Sequence, residues 1–492
     1  MEKRGLDMRQ ISILVIVITL TIILSITIAH AQDYPIVHTG ITEFSSANAE
    51  IGNPGEGNSF YGQDANYQFN LANYTDNNDG TITDNITGLM WQKDPGELMS
   101  FADCFNNADT STLGGHSDWR VPSIKELYSL IMFYGWEYTS KESSIEFINT
   151  NYFVQPYGDD LGNDRFIDAQ TWSATEYKGK TMVNDSTVFG VNFVDGRIKG
   201  YPKYQPGSNF TTPKYNLCRL VRGNTNYGIN NFVDNGDGTI SDLATGLMWQ
   251  KADDGTARDW ENALAYAEGL ELANKNDWRL PNVKELQSII DYTRGPQSTQ
   301  SPAINALFTC SEIDDPDGTP GHYPFYWSGT THKTGPQEFS NAAYVAFGEA
   351  LGKPNTTLLD VHGAGAQRSD PKNGNQANYP KYHGPQGDVQ VVYNYVRAVR
   401  YITPQSSQLY NAADKFSIYP NPFSNRLTVS SNEALNKIDY TVFDVSGKVL
   451  LQDSISSNNN SAELDVSNLA TGTYVLKINH NESFQAHIIH KQ

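Results

Sequence analysis

The sequence has few cysteines and a marked shortage of basic residues. Lysine and arginine together number 35, against 55 aspartates and glutamates, which gives a formal net charge of −20 at pH 7. A protein that binds a phosphate backbone needs a positive face, so this balance excludes nucleic acid as an expected partner. The three cysteines are too few for a disulfide framework, and their odd number leaves at least one without a partner inside the chain.

Long hydrophobic runs are missing, with one exception near the N-terminus. Three basic residues precede an apolar run over residues 11–29, and Ala29-His30-Ala31 ends it with the small-x-small pattern that signal peptidase reads. We therefore predict that residues 1–31 are a signal peptide, cleaved before Gln32, and that the protein is exported. If it were not cleaved, a run of this length would anchor the chain in a membrane.

Recognisable catalytic motifs are also missing. The sequence has no GxSxG, no HExxH, no paired CxxC and no phosphate-binding loop. We therefore expect no enzymatic activity and no cofactor, and we leave open whether a metal ion binds. The length of 492 residues is too great for one ordinary domain and predicts about three.

The chain contains one set of sequence blocks twice, in the same order. The first copy has YTDNNDGTITDNITGLMWQK from Tyr74, and the second copy has FVDNGDGTISDLATGLMWQK from Phe232. Four more pairs follow: DWRVPSIKEL at 118 and DWRLPNVKEL at 277, WSAT at 172 and WSGT at 327, YPKY at 201 and 379, and YNLCRLVR at 215 and YNYVRAVR at 393. Five ordered matches predict tandem domains.

The repeated blocks predict local structure. Asp79-Gly80 and Asp237-Gly238 are flanked by β-forming residues and predict hairpin turns, and the surrounding residues do not have the spacing of a calcium loop. A helix is predicted after each TGLMW block because apolar residues recur there at helical spacing. In the second copy the predicted buried face of this helix comprises Trp260, Ala263, Leu264, Ala267 and Leu270.

A second helix is predicted within each DWRxPxxKEL block. Ser123 with Glu126, and Asn282 with Glu285, have the spacing of a capping box. The rest of each copy has short β-type segments between polar loops. Each copy is therefore predicted to be α+β, with two helices and an antiparallel sheet. Since each copy has the full set of blocks, we expect each to fold alone.

These blocks resemble the domain at the C-terminus of a collagen-like bacterial adhesin, the Lcl C-terminal family. The resemblance rests on DNGDGTxxDxxTGLMWQK, DWRLPxxKEL, YWSxT and YVRxVR, and it extends to PGEGNSFYGQDANY before the first copy. It implies two tandem domains, over residues 36–223 and 227–402, each with a C-type-lectin-like fold. The calcium- and sugar-binding triplets of C-type lectins are absent, and so is the active cysteine pair of the related formylglycine-generating enzymes.

Residues 416–492 follow a different pattern, after a polar linker over residues 403–415. Period-two segments recur at short spacing, among them YTVFDV from Tyr440 and TYVLKI from Thr473, and they predict a small β-sandwich. YPNPF from Tyr419, FDVSGKVL and LDVSNLATGTYVLKI resemble the C-terminal sorting domain of type IX secretion. The resemblance implies an immunoglobulin-like sandwich that the type IX secretion machinery handles, with delivery to the cell surface or the extracellular space.

Two groups of residues are candidates for ligand binding. The first is YPKY, because tyrosines can stack on sugar rings and lysine adds a hydrogen-bond donor. The second lies in a stretch of the second copy that is longer than its counterpart, where Asp360 and His362 would share one face of an extended segment, a spacing that a metal ion can use. Loop packing by the tyrosines and a polar network within the loop are the alternatives. The candidates are Tyr201, Lys203, Tyr204, Tyr379, Lys381, Tyr382, Asp360, His362, Arg368 and Asp370.

The family resemblance also implies a disulfide between Cys104 and Cys218. Both cysteines are displaced from the family's usual places, by one helical turn and by two strand residues, and each shift keeps the side chain on the same face. The second copy has Ala263 and Val396 at these positions, as expected if the pair is gained or lost as a unit. Cys310 is then expected to stay free, and three buried thiols are the alternative.

The predicted function is that of an exported, non-enzymatic adhesin or glycan-binding surface protein. Tandem copies of an adhesin domain would add avidity, and the expected partners are glycans or other polymers of host or environmental surfaces. Two alternatives stay open. One is an exported enzyme of unknown reaction that uses the segment from Asp360 to Asp370, and the other is a structural component of a surface layer.

Overall fold

A computed structural model describes residues 34–402 without a gap and most of the C-terminal region. The described C-terminal ranges are 416–419, 423–431, 437–444, 449–456, 461–470, 472–480 and 483–491. The chain divides into two compact units, residues 1–404 and residues 405–492. The predicted signal peptide over residues 1–31 and the predicted linker over residues 403–415 lie outside the described residues.

The first copy combines short strands with two α-helices. The helices are α1 (Phe101–Thr110) and α2 (Ile124–Tyr128). The strands are β1 (Phe44–Ser45), β2 (Glu50–Ile51), β3 (Tyr74–Asp76), β4 (Thr81–Asp84), β5 (Leu89–Gln92), β6 (Met99–Ser100), β7 (Trp136–Glu137), β8 (Gln170–Glu176), β9 (Thr187–Asn192), β10 (Arg197–Pro202), β11 (Tyr215–Asn216) and β12 (Val221–Gly223).

The second copy repeats this order and has extra short strands between its last blocks. The helices are α3 (Trp260–Glu268), α4 (Val283–Ser288) and α5 (Pro296–Thr299). The strands are β13 (Phe232–Asp234), β14 (Thr239–Asp242), β15 (Leu247–Gln250), β16 (Phe325–Thr331), β17 (Lys333–Thr334), β18 (Asn341–Ala346), β19 (Leu351–Gly352), β20 (Leu359–Asp360), β21 (Gln367–Pro371), β22 (Tyr382–His383), β23 (Asp388–Val389) and β24 (Val399–Tyr401).

Each copy has a four-stranded antiparallel sheet built around its Asp-Gly turn. The strand orders are β12-β5-β4-β3 and β13-β14-β15-β24, so the first and last blocks of a copy lie side by side. Asp79 Oδ1 accepts a hydrogen bond from the Thr81 N–H at 3.0 Å, and Asp237 makes the equivalent bond at 3.1 Å. Gly80 and Gly238 have φ angles of 88° and 89°, which a Cβ atom would disfavour. The predicted hairpins are confirmed.

The predicted helices and their caps are also confirmed. Ser123 and Asn282 each form a capping box, with Glu126 and Glu285 respectively. Leu270 lies just after α3 and packs against the same apolar cluster as the helix. The buried residues of α3 are Trp260, Ala263, Leu264 and Ala267. Local sequence therefore determines these elements, and both copies are β-rich α+β structures.

Three strands from each copy combine in a single six-stranded sheet. The strand order is β16-β18-β21-β10-β9-β8, with the second copy on one side and the first copy on the other. The copies meet where β10 pairs antiparallel with β21, and Ile198 lies opposite Gln367. Because the sheet runs through both copies, a separated copy would expose β10 or β21 as an unpaired edge.

The two copies also share a hydrophobic core. One cluster of buried side chains includes Trp91, Leu127 and Phe133 from the first copy and Trp249, Leu286 and Tyr326 from the second copy. Residues 34–402 therefore form one compact body. Whether each copy folds alone stays a prediction; the shared core argues against it, because separating the copies would expose apolar surface that only the partner copy covers.

Two equivalent lysines tie the copies together in a reciprocal way. Lys125 Nζ donates to the Ser288 carbonyl at 2.7 Å, and Lys284 Nζ donates to the Ser129 carbonyl at 2.8 Å. The lysines occupy the same place in the two KEL blocks, and so do the serines that follow. Burial lowers the pKa of Lys125 to about 8 and that of Lys284 to about 7. This exchange of identical contacts is typical of a twofold-symmetric dimer, which here lies within one chain.

The N-terminal segment, residues 34–70, packs chiefly against the second copy. The Phe60 and Trp260 ring centroids lie 6.3 Å apart, and Ser45 Oγ lies 2.9 Å from Thr331 Oγ1. The sequence-based domain limits assign this segment to the first domain because it precedes that copy in the chain. Its contacts instead extend the second copy.

The described part of the C-terminal unit is an antiparallel β-sandwich. In β29 the buried Ala462 and Leu464 alternate with the exposed Glu463 and Asp465, as in a strand with one face in a core. One sheet has the order β25-β26-β29 and the other has the order β28-β27-β30-β31. The strands are β25 (Phe416–Tyr419), β26 (Arg426–Ser431), β27 (Lys437–Asp444), β28 (Val449–Ser456), β29 (Ser461–Asp465), β30 (Gly472–His480) and β31 (Ser483–Lys491).

The disulfide predicted between Cys104 and Cys218 is not formed in the structure, where all three cysteines are free thiols. The two residues are nevertheless neighbours in a buried cluster that also contains Trp172. A hydrogen bond with the Cys218 thiol and burial together raise the pKa of the Cys104 thiol well above its usual value. The two thiols lie close together, and the bridge between them stays a prediction. Cys310 is also free and accepts a hydrogen bond from Arg397 Nη2 at 3.3 Å.

Candidate functional site

The structure places the two YPKY blocks in different settings. In the first copy, Tyr201 lies buried in β10, and Lys203 Nζ pairs with Glu176 Oε2 at 2.8 Å. In the second copy, Tyr379-Pro380-Lys381-Tyr382 lies beyond the end of β21, which is Pro371. The two blocks match in sequence but are not equivalent in the fold, because the second copy adds chain on both sides of β21.

Tyr204 and Tyr379 lie apart from each other and from the remaining candidates. The Tyr204 ring packs edge-on against Phe210 at a centroid distance of 6.0 Å. The Tyr379 hydroxyl donates to the Asn373 carbonyl at 2.9 Å. Both tyrosines therefore hold down their own loops, as the packing alternative predicts for them.

Lys381 and Tyr382 lie at the surface of the second copy beside a short acidic loop, residues 313–322. The Tyr382 hydroxyl donates to Asp317 Oδ1 at 3.0 Å, and Lys381 Nζ donates to the Pro316 carbonyl. Lys353 Nζ lies 2.9 Å from Asp317 Oδ2 and 5.4 Å from the centre of the Tyr382 ring. This cluster separates two hollows on either side of the loop.

The first hollow, which we call the aromatic cavity, has a volume of about 200 Å³. Its wall includes the rings of Tyr323, Phe325, Tyr393 and Tyr395 together with apolar side chains of β19 and β23. Tyr393 is 46% exposed, so its ring is accessible from solvent. Flat aromatic faces beside hydroxyl groups are suited to stacking on the apolar face of a sugar ring.

The second hollow, which we call the acidic groove, has a volume of about 610 Å³. It lies between the second copy and a loop of the first copy that contributes Lys180. Four carboxylates line it, together with threonine hydroxyls from residues 319 and 356–357. The carboxylates belong to Asp315, Asp317, Glu349 and Asp360. Such a wall accepts hydrogen bonds from hydroxyl groups and repels anionic groups.

Asp360 lies buried at the edge of the acidic groove. Its Oδ2 accepts a hydrogen bond from the Tyr177 hydroxyl at 2.7 Å, and its Oδ1 accepts one from the Gly363 N–H at 2.8 Å. Burial raises the pKa of Asp360 to about 7. Tyr177 belongs to the first copy, so this carboxylate also joins the two copies.

His362 and Arg368 form a buried ion network with Asp388. His362 Nε2 lies 2.9 Å from Asp388 Oδ1, and Arg368 also pairs with Asp388. Burial, followed by the positive charge of Arg368, lowers the pKa of His362 to about 4. Although burial alone would raise it, Arg368 and His362 hold the pKa of Asp388 well below its usual range. These groups pair with one another, as the polar-network alternative predicts, and His362 Nδ1 has no hydrogen-bond partner within the described residues.

Asp370 is separate from that network and lies in β21. Its Oδ2 accepts a hydrogen bond from Asn394 Nδ2 at 3.1 Å, and burial raises its pKa to about 8. Asp360 and His362 have different partners and do not converge on a common point. Within the described ranges, no three side chains of histidine, cysteine, aspartate or glutamate come together as metal ligands would.

Sequence reasoning missed most of the residues that line the two hollows. Asp317 and Glu349 lie outside the repeated blocks, and Tyr393 and Tyr395 belong to the repeated YNYVRAVR block, which sequence reasoning did not connect with binding. One signal was present: the acidic turn DDPDG from Asp314, in which Asp315 Oδ1 accepts hydrogen bonds from the Asp317 and Thr319 N–H groups. Of the predicted residues, Asp360, Lys381 and Tyr382 lie at this surface.

Comparison with protein families agrees with this architecture. The Lcl C-terminal domain matches residues 80–211 and 238–360, together more than half of the chain, and the secretion system C-terminal sorting domain matches residues 417–491. No curated protein matches the chain. No helix in the described part of the chain is long and apolar enough to cross a membrane.

The sorting domain establishes where the protein goes. A type IX sorting domain means that the secretion machinery handles the chain through its C-terminal unit and exports it to the cell surface or the extracellular space. The first match contains β8, β9 and β10 of the shared six-stranded sheet, and the second contains β16 and β18 and ends before β21. The chain therefore belongs to the family of proteins with an Lcl C-terminal domain, which it contains twice.

Proposed function

We propose that this exported protein is a non-enzymatic adhesin that binds neutral glycans at the surface of its second copy. The observation that carries the proposal is the juxtaposition of the aromatic cavity and the acidic groove on either side of the loop over residues 313–322. Aromatic rings for stacking and carboxylates for hydroxyl groups are the two contacts that a neutral sugar needs.

The charge of the site favours a neutral ligand over a sulfated or carboxylated one. Four carboxylates and Lys180 line the acidic groove. The whole chain has a net charge of −20. An anionic polymer would have to approach against this field. Lys353 is paired with Asp317 and offsets that carboxylate, so the acidity of the groove rests on Asp315 and Glu349.

We infer further that each copy has a C-type-lectin-like fold and that the C-terminal unit is an immunoglobulin-like sandwich. The paired helices beside an antiparallel sheet support the first inference, and two packed sheets of three and four strands support the second. A lectin-like scaffold presents its long loops to ligands, and the loop over residues 313–322 is one of them.

A glycan array tests the proposal directly. The exported chain is expected to bind neutral glycans, and Tyr382→Ala and Asp317→Asn are each expected to weaken binding about tenfold, because each removes one contact beside the hollows. Tyr204→Ala is the matched control, since Tyr204 is the counterpart of Tyr382 in the sequence block but lies elsewhere. Preference for sulfated glycans, or equal binding by all three variants, would contradict the proposed site. Metal-dependent turnover of a glycan would instead favour an enzyme.

A further inference from the structure

The second copy has a cleft beside its WSGT block that the N-terminal segment of the chain fills. We call it the filled cleft. Thr330 Oγ1 donates to Asp64 Oδ2 at 2.7 Å, and Thr39 Oγ1 donates to the same oxygen at 2.6 Å. His38 Nε2 lies 3.2 Å from Asp64 Oδ1. The backbone of this segment runs over Gly329, where a Cβ atom would stand 3.2 Å from the Asp64 nitrogen. The cleft therefore holds the aspartate through the Thr330 hydroxyl, while Thr39 and His38 support it from within the N-terminal segment.

The first copy has the same framework beside its WSAT block. The Ala174 N–H donates to the Pro122 carbonyl at 2.7 Å, and Thr175 Oγ1 accepts a hydrogen bond from the Ile124 N–H at 3.0 Å. In the second copy the Gly329 N–H donates to the Pro281 carbonyl at 2.8 Å, and the Val283 N–H donates to Thr330 Oγ1 at 2.9 Å. The two clefts are therefore built alike.

Within the described residues no segment fills the cleft of the first copy, which we call the open cleft. Residues 224–231 connect β12 directly to β13, so no long segment precedes the second copy as residues 34–70 precede the first. The result is a cavity of about 750 Å³, lined by both copies and within the range of natural ligand pockets. The side chain of Arg120 is 30% exposed there, whereas that of Arg279 in the filled cleft is 5% exposed.

The open cleft offers the same kinds of donor that hold the N-terminal segment in the filled cleft. In the filled cleft the Phe133 N–H donates to the Thr39 carbonyl at 2.7 Å; the equivalent Tyr292 N–H has no acceptor in the part of the chain that the structure describes. The hydroxyl of Thr175 likewise donates to no acceptor within the described residues. Lys125 also lines the open cleft, and the equivalent Lys284 Nζ donates to the His38 carbonyl of the N-terminal segment at 3.2 Å.

We propose that the open cleft binds an extended peptide segment of a partner surface protein, with an aspartate in the place that Asp64 takes in the filled cleft. Each chain has two clefts and one N-terminal segment. If two protein molecules exchanged their N-terminal segments, each molecule would still have one open cleft. We therefore assign the open cleft to a partner protein. The open cleft shares no lining residue with the aromatic cavity or the acidic groove, and the proposal is independent of glycan binding.

The probe is a synthetic peptide with the sequence of residues 58–70, NSFYGQDANYQFN, titrated with the full chain by fluorescence anisotropy. One-to-one, saturable binding is expected. Replacing the aspartate of the peptide by alanine is expected to weaken binding about tenfold, and Thr175→Val in the protein is expected to do the same. Ala174→Gly is expected to strengthen binding, because it removes a methyl group from the place where the filled cleft has Gly329.

Thr110→Val, at the exposed end of α1, is the matched control and is expected to leave binding unchanged. The altered peptide and Ala174→Gly keep the test valid if Thr175→Val does not fold. Absence of saturable binding, or binding that Thr175→Val and Ala174→Gly both leave unchanged, would overturn the proposal. A concentration-dependent dimer of the chain that the peptide dissociates would also overturn it, because a second copy would then be the occupant.

Discussion

Arg279 and Arg120 occupy the same place in the two DWRxPxxKEL blocks, yet their surroundings differ. Arg279 makes two hydrogen bonds to Glu285, at 2.6 and 2.7 Å, and its guanidinium lies within about 5 Å of the rings of Tyr67 and Tyr401. Arg120 pairs with Glu126 at 2.6 Å in the open cleft, without aromatic cover. One residue of the repeat thus serves a fully buried pair in one copy and, in the other, a pair whose arginine is 30% exposed.

This difference predicts that alanine substitution lowers the free energy of unfolding more at Arg279 than at Arg120. Arg279→Ala is expected to lower the free energy of unfolding by about 3–5 kcal/mol, because it leaves Glu285 charged and buried without its partner. Arg120→Ala is expected to cost about 1–2 kcal/mol, since water can replace the lost partner of Glu126. Chemical unfolding of the two variants provides the comparison. Equal costs would show that the N-terminal segment does not seal the filled cleft.

Asp370 predicts a pH dependence of stability. Burial raises its pKa from the ordinary value of 3.8 to about 8 in the folded protein. The folded protein therefore keeps a proton that the unfolded chain releases, so this residue makes stability fall as the pH rises from about 4 to 8. Asp370→Asn removes that contribution while its amide oxygen can still accept from Asn394. Relative to the wild type, the variant is expected to gain up to about 1.4 kcal/mol per pH unit across this window. A constant difference between pH 4 and 8 would contradict the assignment.

At the scale of single elements, the two capping boxes predict matched effects. Ser123→Ala and Asn282→Ala each remove the side chain that accepts from the third helical N–H of a short helix. Each is expected to cost about 1 kcal/mol in the free energy of unfolding. Thr110→Ala, at the exposed end of α1, serves as the control and is expected to change stability little. A cost confined to one copy would mean that only that helix depends on its cap.

The helices and strands also show which parts of the fold could be predicted from the sequence. Asp79-Gly80 and the capping boxes act over a few residues, so local pattern was enough to predict the hairpins and helices. The pairing of Ile198 with Gln367 links distant positions, and no local pattern specifies which strand edges meet. The match between the YPKY blocks was misleading for Tyr201, because a buried strand residue and a surface loop residue can share the same short sequence. Lys381 and Tyr382 stay predictions as ligand contacts, whereas Asp317 lies on a loop whose composition carries no readable code.

At the scale of the whole molecule, the C-terminal unit has a core of its own. We expect that sorting is its only role. A chain without residues 416–492 is expected to fold but to stay in the periplasm, because the matched sorting domain is gone while residues 34–402 keep their shared core. Cell fractionation with surface proteolysis provides the measurement. Normal surface display of the shortened chain would contradict the role assigned to the sorting domain.

The account rests on two Lcl C-terminal domains that fold as one body, with a shared sheet and a shared core. Urea unfolding of residues 34–402, followed by circular dichroism and tryptophan fluorescence, tests this claim most directly when it is compared with residues 227–402 expressed alone. We predict one cooperative transition with coincident midpoints for the pair, and no cooperative transition for the single copy, because it lacks half of the core. A cooperative transition of the single copy with the same midpoint as the pair would contradict the account.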